Sequence, residues 1–241
     1  MEGLVDLHCH YIPAIDDGVR THDEGVALCQ ALKRFGYATV TATPHIRSAM
    51  FPNNRADLEQ RFERFSEQAR ESSDMPELLL GAEHFCDDAF WELWNRGEAL
   101  PYSGGKAALI ELPVDQLPLR LGDRCFRMQV RGVRPVLAHP ERYAPLFGST
   151  APIERLLEMG VLPLLDVMAL AGKYGRKPQQ AAERMLEEDA YYAACSDCHR
   201  PADVEVVAEA VERLVELVGD EQALLLLRDH PRAILRGEVD R

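Results

Sequence analysis

The feature of this sequence that most constrains its fold is a regular alternation of short, β-forming apolar runs with longer amphipathic stretches. The runs occur at residues 4–8, 38–43, 77–83, 108–112, 134–139, 161–166 and 191–197. Each is followed by a segment of helical character, and no linker interrupts the pattern. Strands that alternate with helices form parallel sheets, because the helix returns the chain to the starting end of the sheet. The pattern predicts an α/β fold with about seven parallel strands, and the length suits one barrel-type domain over residues 1–241.

The first predicted helix has clear end signals. Thr21 and Glu24 have the spacing of a capping box, and Gly36 follows two basic residues where the helix would end. These signals predict a helix over residues 24–35. The strongly charged segment from Arg55 to Glu71 has apolar residues at helical spacing, so we interpret it as an outer helix without a chemical role.

Charge and cysteine content exclude several classes of protein. The formal net charge of −13 disfavours a general binder of nucleic acid or of anionic membranes, which hold phosphates with clustered Lys and Arg. No apolar stretch approaches the roughly 20 residues that span a bilayer, so direct membrane insertion is not expected. The N-terminus lacks the features of a signal peptide, and the six cysteines are irregularly spaced. We therefore expect a cytoplasmic protein with reduced thiols.

His8 and His10 stand two residues apart at the end of the first predicted strand. Side chains two apart on a strand point to the same side, so both imidazoles can face the mouth of a barrel and bind one metal ion. A lone His-x-His pair is also common on surfaces and in packed cores. Further ligands are needed to decide between these interpretations.

Other residues of the types that bind metals fall at the carboxyl ends of further predicted strands. In α/β barrels the catalytic groups sit on that face, where side chains from distant parts of the chain converge. This placement predicts a metal site with the candidate ligands His8, His10, His45, Glu83, Glu111, His139, Asp197 and His199. The other histidines, His22, His84 and His230, do not fit the placement, and we interpret them as structural residues.

The sequence IDDG places Asp16 and Asp17 just beyond the first strand. One of these carboxylates could reach the same mouth, but Asp-Gly pairs also form turns, and both interpretations stay open. Imidazole and carboxylate ligands suit manganese, iron or zinc, whereas a set without thiolates gives little reason to expect a structural zinc site. The ligand types leave the identity of the metal open.

Two cysteine patterns suggest other chemistry. Cys195 and Cys198 form a C-x-x-C pair, typical of redox or thiolate metal sites, but the sequence has no second pair. Cys125 and Arg131 have the C-x5-R spacing of cysteine phosphatases, yet the residues between them include no glycine to open a phosphate-binding loop. The segment instead has the pattern of a helix, and neither motif is favoured.

Three arginines follow candidate ligands closely: Arg47 after His45, Arg142 after His139, and Arg200 after His199. A guanidinium group fits phosphate oxygens with two parallel hydrogen bonds, so this placement favours a phosphate-bearing substrate over an uncharged amide. The alternative is ion pairing with the many acidic residues.

In order, the motifs DLHCHYIPAIDDG, TATPHIRS, LGAEHF, ALIELP, PVLAHPERY, LAGKYG and ACSDCH extend over nearly the whole chain. Together they resemble the polymerase and histidinol phosphatase superfamily, and within it the manganese-dependent tyrosine-protein phosphatases of bacterial capsular and exopolysaccharide operons. The resemblance implies a distorted TIM-like (β/α)7 barrel with three metal ions at the C-terminal ends of its strands. One departure is LLDVMALAG, where relatives usually carry a polar Asn or Ser run before the glycine.

The resemblance also implies a role for each site residue. One Mn2+ ion would bind near His8, His10, Glu83 and Asp197, a second to Glu83, Glu111 and His139, and a third to Asp17, His45 and His199, with Fe, Zn or Mg as alternative metals. Glu83 would bridge two ions. Arg142 and Arg200 would clamp the substrate phosphate during catalysis, although Arg200 follows His199 more closely than is usual.

The substrate implied by the resemblance is the phosphotyrosine-rich tail of a membrane-bound polysaccharide co-polymerase kinase, hydrolysed by a metal-bridging hydroxide. The nearest alternative is a small-molecule phosphatase of the same superfamily, such as one acting on histidinol phosphate. A metal-dependent nuclease or amidohydrolase is disfavoured because it would lack the combination of IDDG, His45 and Glu111. A metal-binding module without activity is disfavoured because every ligand position is retained.

Overall fold

Nine parallel β-strands and eight α-helices follow one another in the computed structural model of the chain, which describes residues 1–239. The elements are β1 Leu4–Cys9, α1 His22–Phe35, β2 Tyr37–Ala42, β3 His45–Ile46, α2 Arg55–Ala69, β4 Glu77–Leu80, β5 Glu83–Phe85, α3 Asp88–Arg96, β6 Ala107–Glu111, α4 Leu121–Val130, β7 Arg134–Ala138, α5 Ala151–Glu158, β8 Leu162–Asp166, α6 Arg176–Glu187, β9 Ala193–Cys195, α7 Asp203–Leu224 and α8 His230–Arg236. Short turns of 3-10 helix follow β7 and β8, and α7 is kinked at Gly219.

All seven predicted strand regions contain a strand, but the third is divided between β4 and β5, and an unpredicted short strand, β3, follows the second region. β1, β2 and β4 form one sheet, while β3, β5, β6, β7, β8 and β9 form a second. Pro44 lies between β2 and β3, and a proline cannot donate a hydrogen bond to the ladder. Gly81 lies between β4 and β5, and a side chain there would meet the ring of Tyr102 at 2.9 Å. The prediction of one strand over residues 77–83 was therefore wrong, because the chain changes sheets at this glycine.

Hydrogen bonds link the two sheets where the first and last strands end. The backbone N–H of Asp197 donates to the His8 carbonyl oxygen at 2.9 Å. The backbone N–H of His10 donates to the Cys198 carbonyl oxygen, also at 2.9 Å. Below them, the buried Asp6 carboxylate accepts a hydrogen bond from the Ser196 N–H at 3.0 Å. These contacts give the parallel strands a barrel-like arrangement, which confirms the predicted fold class. The distortion lies in the breaks at Pro44 and Gly81.

Two apolar clusters fill the structure on either side of the strands. The smaller cluster includes Val5, Leu7, Leu109, Val136 and Leu164, which alternate along their strands and face one another. The larger cluster packs the other strand faces against the helices. Among the described residues, no helix has both the length and the apolar character needed to cross a membrane.

The signals at the ends of α1 behave as predicted. The Glu24 N–H donates to the Thr21 hydroxyl oxygen at 3.2 Å, although the Glu24 carboxylate accepts from the Arg20 N–H instead of completing the box at Thr21. At the other end, Gly36 adopts a φ of 131° and its N–H bonds to the Leu32 and Lys33 carbonyl oxygens. This left-handed conformation favours glycine, so the helix stops here and β2 begins at the next residue.

Candidate metal centre

Side chains from six strand ends and from the loop after β1 converge at the mouth of the barrel. Their donor atoms lie within 4.8 Å of one another in four overlapping groups. The groups are His10, Asp17, His45 and His199; His8, His10 and Asp197; His8, Glu83 and His139; and His45, Glu83 and Glu111. The structure therefore brings together all nine residues that were predicted to bind metal.

The Glu83 carboxylate lies at the centre of this cluster. Its Oε1 atom is 2.9 Å from Nε2 of His139, and its Oε2 atom is 2.9 Å from Nδ1 of His45. The groups that contain Glu83 differ from those implied by the resemblance, because His139 lies with His8 whereas Glu111 lies with His45. The two oxygens of Glu83 thus face two different sets of donors, a geometry that suits a bridging ligand.

Several donor atoms of the cluster are buried but lack a hydrogen-bond partner in the described part of the chain. They are Nε2 of His8 and His10, Nδ1 of His45 and His139, Oε2 of Glu83 and Glu111, and Oδ1 of Asp197. The close approach of His45 Nδ1 to Glu83 Oε2 is an ion-pair contact that lacks hydrogen-bond geometry. Buried polar atoms in native proteins are normally hydrogen-bonded, because an unpaired one costs about 1–3 kcal/mol. Imidazole nitrogens and carboxylate oxygens are also the donors that Mn, Fe and Zn accept. The residues present therefore fit divalent metal ions.

The cluster is held from behind by residues that do not face its centre. Asp16 Oδ2 accepts a hydrogen bond from Nδ1 of His10 at 2.8 Å, which directs the opposite nitrogen, Nε2, into the cluster. The Thr43 hydroxyl contacts Nδ1 of His8 in the same way, at 2.5 Å. Partners of this kind set the orientation and tautomer of a ligating imidazole.

The two aspartates of IDDG therefore have different positions. Asp17 Oδ1 lies 3.4 Å from Nε2 of both His45 and His199, so it is the aspartate that joins the donor groups. Asp16 supports His10 and also accepts from the Gly18 N–H at 2.9 Å, as a turn residue would. The sequence left open whether IDDG forms a turn or supplies a ligand. In the structure Asp16 has the turn role, and Asp17 lies among the candidate ligands.

The backbone is strained at two of the candidate ligands. His139 has a φ of 32° and Asp197 a φ of 48°, in the left-handed region that residues with side chains rarely adopt. Such conformations cost roughly 1–3 kcal/mol and are concentrated at functional sites. His139 directly follows β7, and Asp197 follows β9 with one residue between them. The strain is consistent with side chains being aimed into the mouth.

The electrostatic field of the cluster favours positive charge. Burial disfavours ionisation of Glu83, yet nearby His45 and His8 hold the pKa of this carboxyl well below its ordinary value. Burial and the neighbouring Glu83 carboxylate raise the pKa of Glu111 to about 7. Burial alone would lower the pKa of His199, but Asp197 and a hydrogen bond to Asp17 raise it to about 9. The carboxylates thus stabilise a proton on the imidazole, and by the same attraction they favour a metal cation.

The three predicted arginines have different surroundings. Arg142 Nη1 lies 2.6 Å from Oδ2 of Asp197 and 3.4 Å from Oδ2 of Asp166, and its guanidinium group covers the Tyr174 ring at 4.6 Å. The Arg47 guanidinium covers the Phe85 ring at 4.0 Å. Arg200 is exposed, and its side chain has no ion pair or hydrogen bond within residues 1–239. Of the three arginines, Arg142 is therefore the one that forms an ion pair with a cluster residue, Asp197.

Sequence reasoning missed Asp166 and Tyr174, which hold Arg142. Asp166 ends β8 and is fully buried, and Tyr174 forms a hydrogen bond with it. Asp166 belongs to LLDVMALAG, the segment that departs from the relatives, and Tyr174 to LAGKYG. Both motifs were noted in the sequence, but nothing local related either of them to Arg142.

The remaining histidines and the cysteines lie outside the cluster. His22 begins α1, His84 is buried with both nitrogens hydrogen-bonded, and the His230 ring stacks on Tyr192. All six cysteines are free and buried, and burial raises the pKa of Cys125, inside α4, to about 12. A buried thiol that remains protonated is a poor nucleophile. These placements agree with the structural interpretation of the three histidines and with the rejection of the C-x5-R match.

Comparison with known proteins identifies the family. Residues 4–236 match the family described as capsular polysaccharide synthesis, CpsB/CapC. The chain belongs to the CpsB/CapC family. Tyrosine-protein phosphatase YwqE of Bacillus subtilis is 27% identical over 237 residues, which cover 98% of this chain and 93% of that protein. Tyrosine-protein phosphatase CpsB of Streptococcus pneumoniae is 26% identical over 246 residues, covering 98% of this chain and all of that protein.

A solved structure extends the similarity to the fold. It belongs to a study of YwqE from Bacillus subtilis and CpsB from Streptococcus pneumoniae, described as unique metal-dependent tyrosine phosphatases. The superposition has a TM-score of 0.90 at 24% identity and covers 99% of this chain and 96% of the other. The CpsB/CapC fold is therefore kept across nearly the whole length of both chains.

Proposed function

We propose that this CpsB/CapC-family chain is a metal-dependent protein-tyrosine phosphatase. The observation that carries the proposal is the convergence of buried imidazole and carboxylate atoms that lack hydrogen-bond partners within the described residues. The names of the full-length relatives YwqE and CpsB support phosphotyrosine as the substrate. They also favour it over histidinol phosphate, the small-molecule alternative within the same superfamily.

The proposal assigns the metal-binding role to the nine residues of the mouth cluster. Four overlapping donor groups exceed what one ion needs, so we propose three ions, with Mn2+ as the resident metal. When bound, they would supply Lewis-acid activation of water and would neutralise charge on the phosphoryl oxygens. Asp16 and Thr43 would keep His10 and His8 in the ligating orientation.

In this proposal the arginines bind and orient the phosphate. A guanidinium group carries five N–H donors, and only Nη1 of Arg142 has a hydrogen-bond partner in the described residues. The remaining donors are available to phosphate oxygens, while Asp166 and the Tyr174 ring fix the group in position. Arg47 and Arg200, at the ends of other strands, would add contacts that bind the substrate phosphate.

The same proposal includes the partner and the location. The substrate would be the tyrosine-phosphorylated tail of a membrane-bound polysaccharide co-polymerase kinase, in keeping with the capsular polysaccharide family to which the chain belongs. The six free cysteines suit a reducing compartment such as the cytoplasm. We therefore propose a cytoplasmic enzyme that acts on a membrane-bound protein without inserting into the bilayer.

The test uses protein stripped by a chelator and then given Mn2+, Zn2+ or Mg2+. Phosphate release is measured from a phosphotyrosine peptide, from the matching phosphoserine peptide and from histidinol phosphate. We expect metal-dependent release that is fastest with the phosphotyrosine peptide. Faster release from histidinol phosphate would identify the chain as a small-molecule phosphatase instead. Activity that survives chelation would contradict the metal assignment.

A pair of variants controls for the metal site. His139→Ala removes a cluster residue, whereas His22→Ala removes a histidine at the start of α1 that lies outside the cluster. We expect loss of activity only in the first variant. Equal activity in both variants would contradict the proposed site.

A further inference from the structure

A groove of about 510 Å³ runs between α3 and α4 on the outside of the barrel. Aromatic and basic side chains dominate its lining, and they include Trp91, Trp94, Phe126, Arg120, Arg124 and Arg127. Their aromatic faces and guanidinium groups can contact both apolar and negatively charged parts of a ligand. None of these residues belongs to the mouth cluster.

The charge of the groove is opposite to that of the chain. The whole sequence has 40 acidic and 27 basic residues, but the groove has three arginines and one acidic residue, Asp123. Arg124 is engaged, since it pairs with Asp88 at 2.8 Å and lies 5.1 Å from the centre of the Trp91 ring. The side chains of Arg120 and Arg127 have no ion pair or hydrogen bond within the described residues. Two arginines are therefore free to meet a negatively charged partner.

Exposed apolar side chains are concentrated in the chain segment that leads into α4 and along α4 itself, which forms one side of the groove. Of the six large hydrophobic residues that are exposed in the described chain, four lie between residues 114 and 130: Val114, Leu119, Phe126 and Val130. Phe126 is 58% exposed and Val130, one turn further along α4, is 70% exposed. Residues four apart lie on the same face of a helix. Grouped apolar exposure of this kind marks interaction sites on soluble proteins.

The groove begins at the mouth end of the barrel. α3 starts three residues after β5, and α4 starts after the loop that follows Glu111, so both helices begin on the side where the cluster lies. Arg120 stands at the start of α4 with a left-handed φ of 63° and no side-chain capping bond. The distance along α4 from Arg120 to Arg127 is roughly 10 Å, the length of about three residues of extended peptide.

We propose that this groove binds the acidic residues that flank the phosphotyrosine of a protein substrate. The inference rests on the proposed function and extends it from the reacting group to the surrounding peptide. Carboxylates of the substrate pair with Arg120 and Arg127, and its apolar side chains cover Phe126. Charge complementarity selects this occupant, because a second copy of a chain with a net charge of −13 would bring excess negative charge to both partners.

The test compares Arg127→Glu and Phe126→Ala with the control Arg34→Glu. Arg127 and Arg34 are both exposed and both lie in the last turn of a helix, but Arg34 belongs to α1 and does not line the groove. Three substrates are used: a phosphotyrosine peptide with acidic flanks, the same peptide with neutral flanks, and p-nitrophenyl phosphate. We expect Arg127→Glu to raise KM for the acidic peptide by about tenfold, with kcat unchanged. The other two substrates should show no change, and Phe126→Ala should raise the same KM to a smaller extent.

Three kinetic results would overturn the proposal. They are an unchanged KM for the acidic peptide, an equal loss on all three substrates, and an equal effect of Arg34→Glu. A groove variant that changes the molar mass measured by light scattering would instead identify a second copy of the chain as the occupant, and would also overturn it.

Binding of a phosphate-free acidic peptide, followed by fluorescence anisotropy, tests the groove independently of catalysis. Binding that is weakened by Arg127→Glu but not by Arg34→Glu supports the groove even if the wild-type enzyme does not hydrolyse phosphotyrosine. Failure of the proposed function is therefore distinguishable from failure of this inference.

Discussion

Glu83 and His84 are neighbours on β5, but they belong to two regions with opposite hydrogen bonding. At the mouth, Glu83 has an oxygen that is buried without a hydrogen-bond partner in the described residues. In the barrel wall, Nδ1–H of His84 donates to the Leu109 carbonyl oxygen at 2.9 Å, and Nε2 accepts from the Leu100 N–H at 3.1 Å. Both side chains are almost fully buried, so burial does not distinguish the two regions.

The comparison teaches how to distinguish a structural buried histidine from a candidate ligand. In the barrel wall, burial lowers the pKa of His84 to about 4, and both nitrogens are satisfied by backbone groups. At the mouth, nitrogens of His8 and His10 face carboxylates and other imidazoles without a hydrogen bond in the described chain. A protein tolerates such a set of unpaired atoms when another group satisfies them, and divalent metal ions fit this role.

The largest expected effect comes from removing a donor at the mouth. We expect His139→Ala or Asp197→Asn to reduce turnover at least about a thousandfold, more than the roughly 10–100-fold typical of changes behind a metal ligand. The reason is that each change removes an atom of the donor groups while the strands stay packed. Turnover is measured with a phosphotyrosine peptide, and circular dichroism checks the fold. Turnover within tenfold of wild type in a folded variant would break the distinction between the two regions.

In the barrel wall, we expect His84 to affect the free energy of unfolding instead of turnover. The folded-state pKa of His84, about 4, is below the ordinary value of 6.5. Between these values the unfolded state binds more protons, so this contribution to stability is complete above pH 6.5 and is lost as the pH falls towards 4. The loss amounts to about 3 kcal/mol at most. Urea unfolding of chelator-treated protein at several pH values measures it.

His84→Gln is the matched variant for this prediction. Glutamine can donate to Leu109 and accept from Leu100, but it does not titrate. We expect the free energy of unfolding of the variant to depend less on pH between 6.5 and 4 than that of wild type. Equal pH dependence would show that His84 does not carry the effect.

A smaller effect is expected behind the ligands. Asp16→Asn should weaken metal binding by about 10–100-fold, because an amide holds the His10 imidazole less firmly than a carboxylate does. Equilibrium dialysis with metal analysis measures the affinity. Asp23→Asn, in the first turn of α1, is the control, since the Asp23 side chain is fully exposed. Unchanged affinity in Asp16→Asn would mean that the loop fixes His10 without this hydrogen bond.

The smallest effect is expected for the thiols. Cys125→Ser and Cys198→Ser should leave turnover within about twofold of wild type, because both thiols are buried and burial raises the pKa of each above its ordinary value. Steady-state assays with Mn2+ present test this prediction. If either serine variant is inactive but still folded, a thiol takes part and the metal assignment must be revised.

Much of the fold was predictable because its signals are local. All seven strand regions, the ends of α1 and the helix around Cys125 depend on the spacing of apolar residues and on nearby capping groups. The breaks at Pro44 and Gly81 were not predicted. An interruption by proline or glycine moves a strand to another partner only when a neighbouring strand is present to receive it, and the neighbour comes from a distant part of the chain.

The candidate site was predictable in its membership but not in its arrangement. Placement at strand ends was sufficient to select eight of the nine cluster residues, because parallel strands bring their carboxyl ends to one face, whereas Asp17 was assigned only by the family resemblance. The support of His10 by Asp16 and of Arg142 by Asp166 and Tyr174 could not be inferred. These contacts depend on side-chain directions at loops, for which hydrophobic periodicity carries no information.

The sequence by itself determined the seven strand regions, the helices that return the chain, and eight of the nine side chains that reach the mouth. Only the tertiary structure decided that Glu83 lies between two donor groups, that Asp16 stands behind His10, and that a basic groove separates α3 from α4. The physical reason is the sequence separation of the residues that interact. Secondary structure follows from interactions between residues a few positions apart, whereas a site requires distances of a few ångströms between residues more than a hundred positions apart.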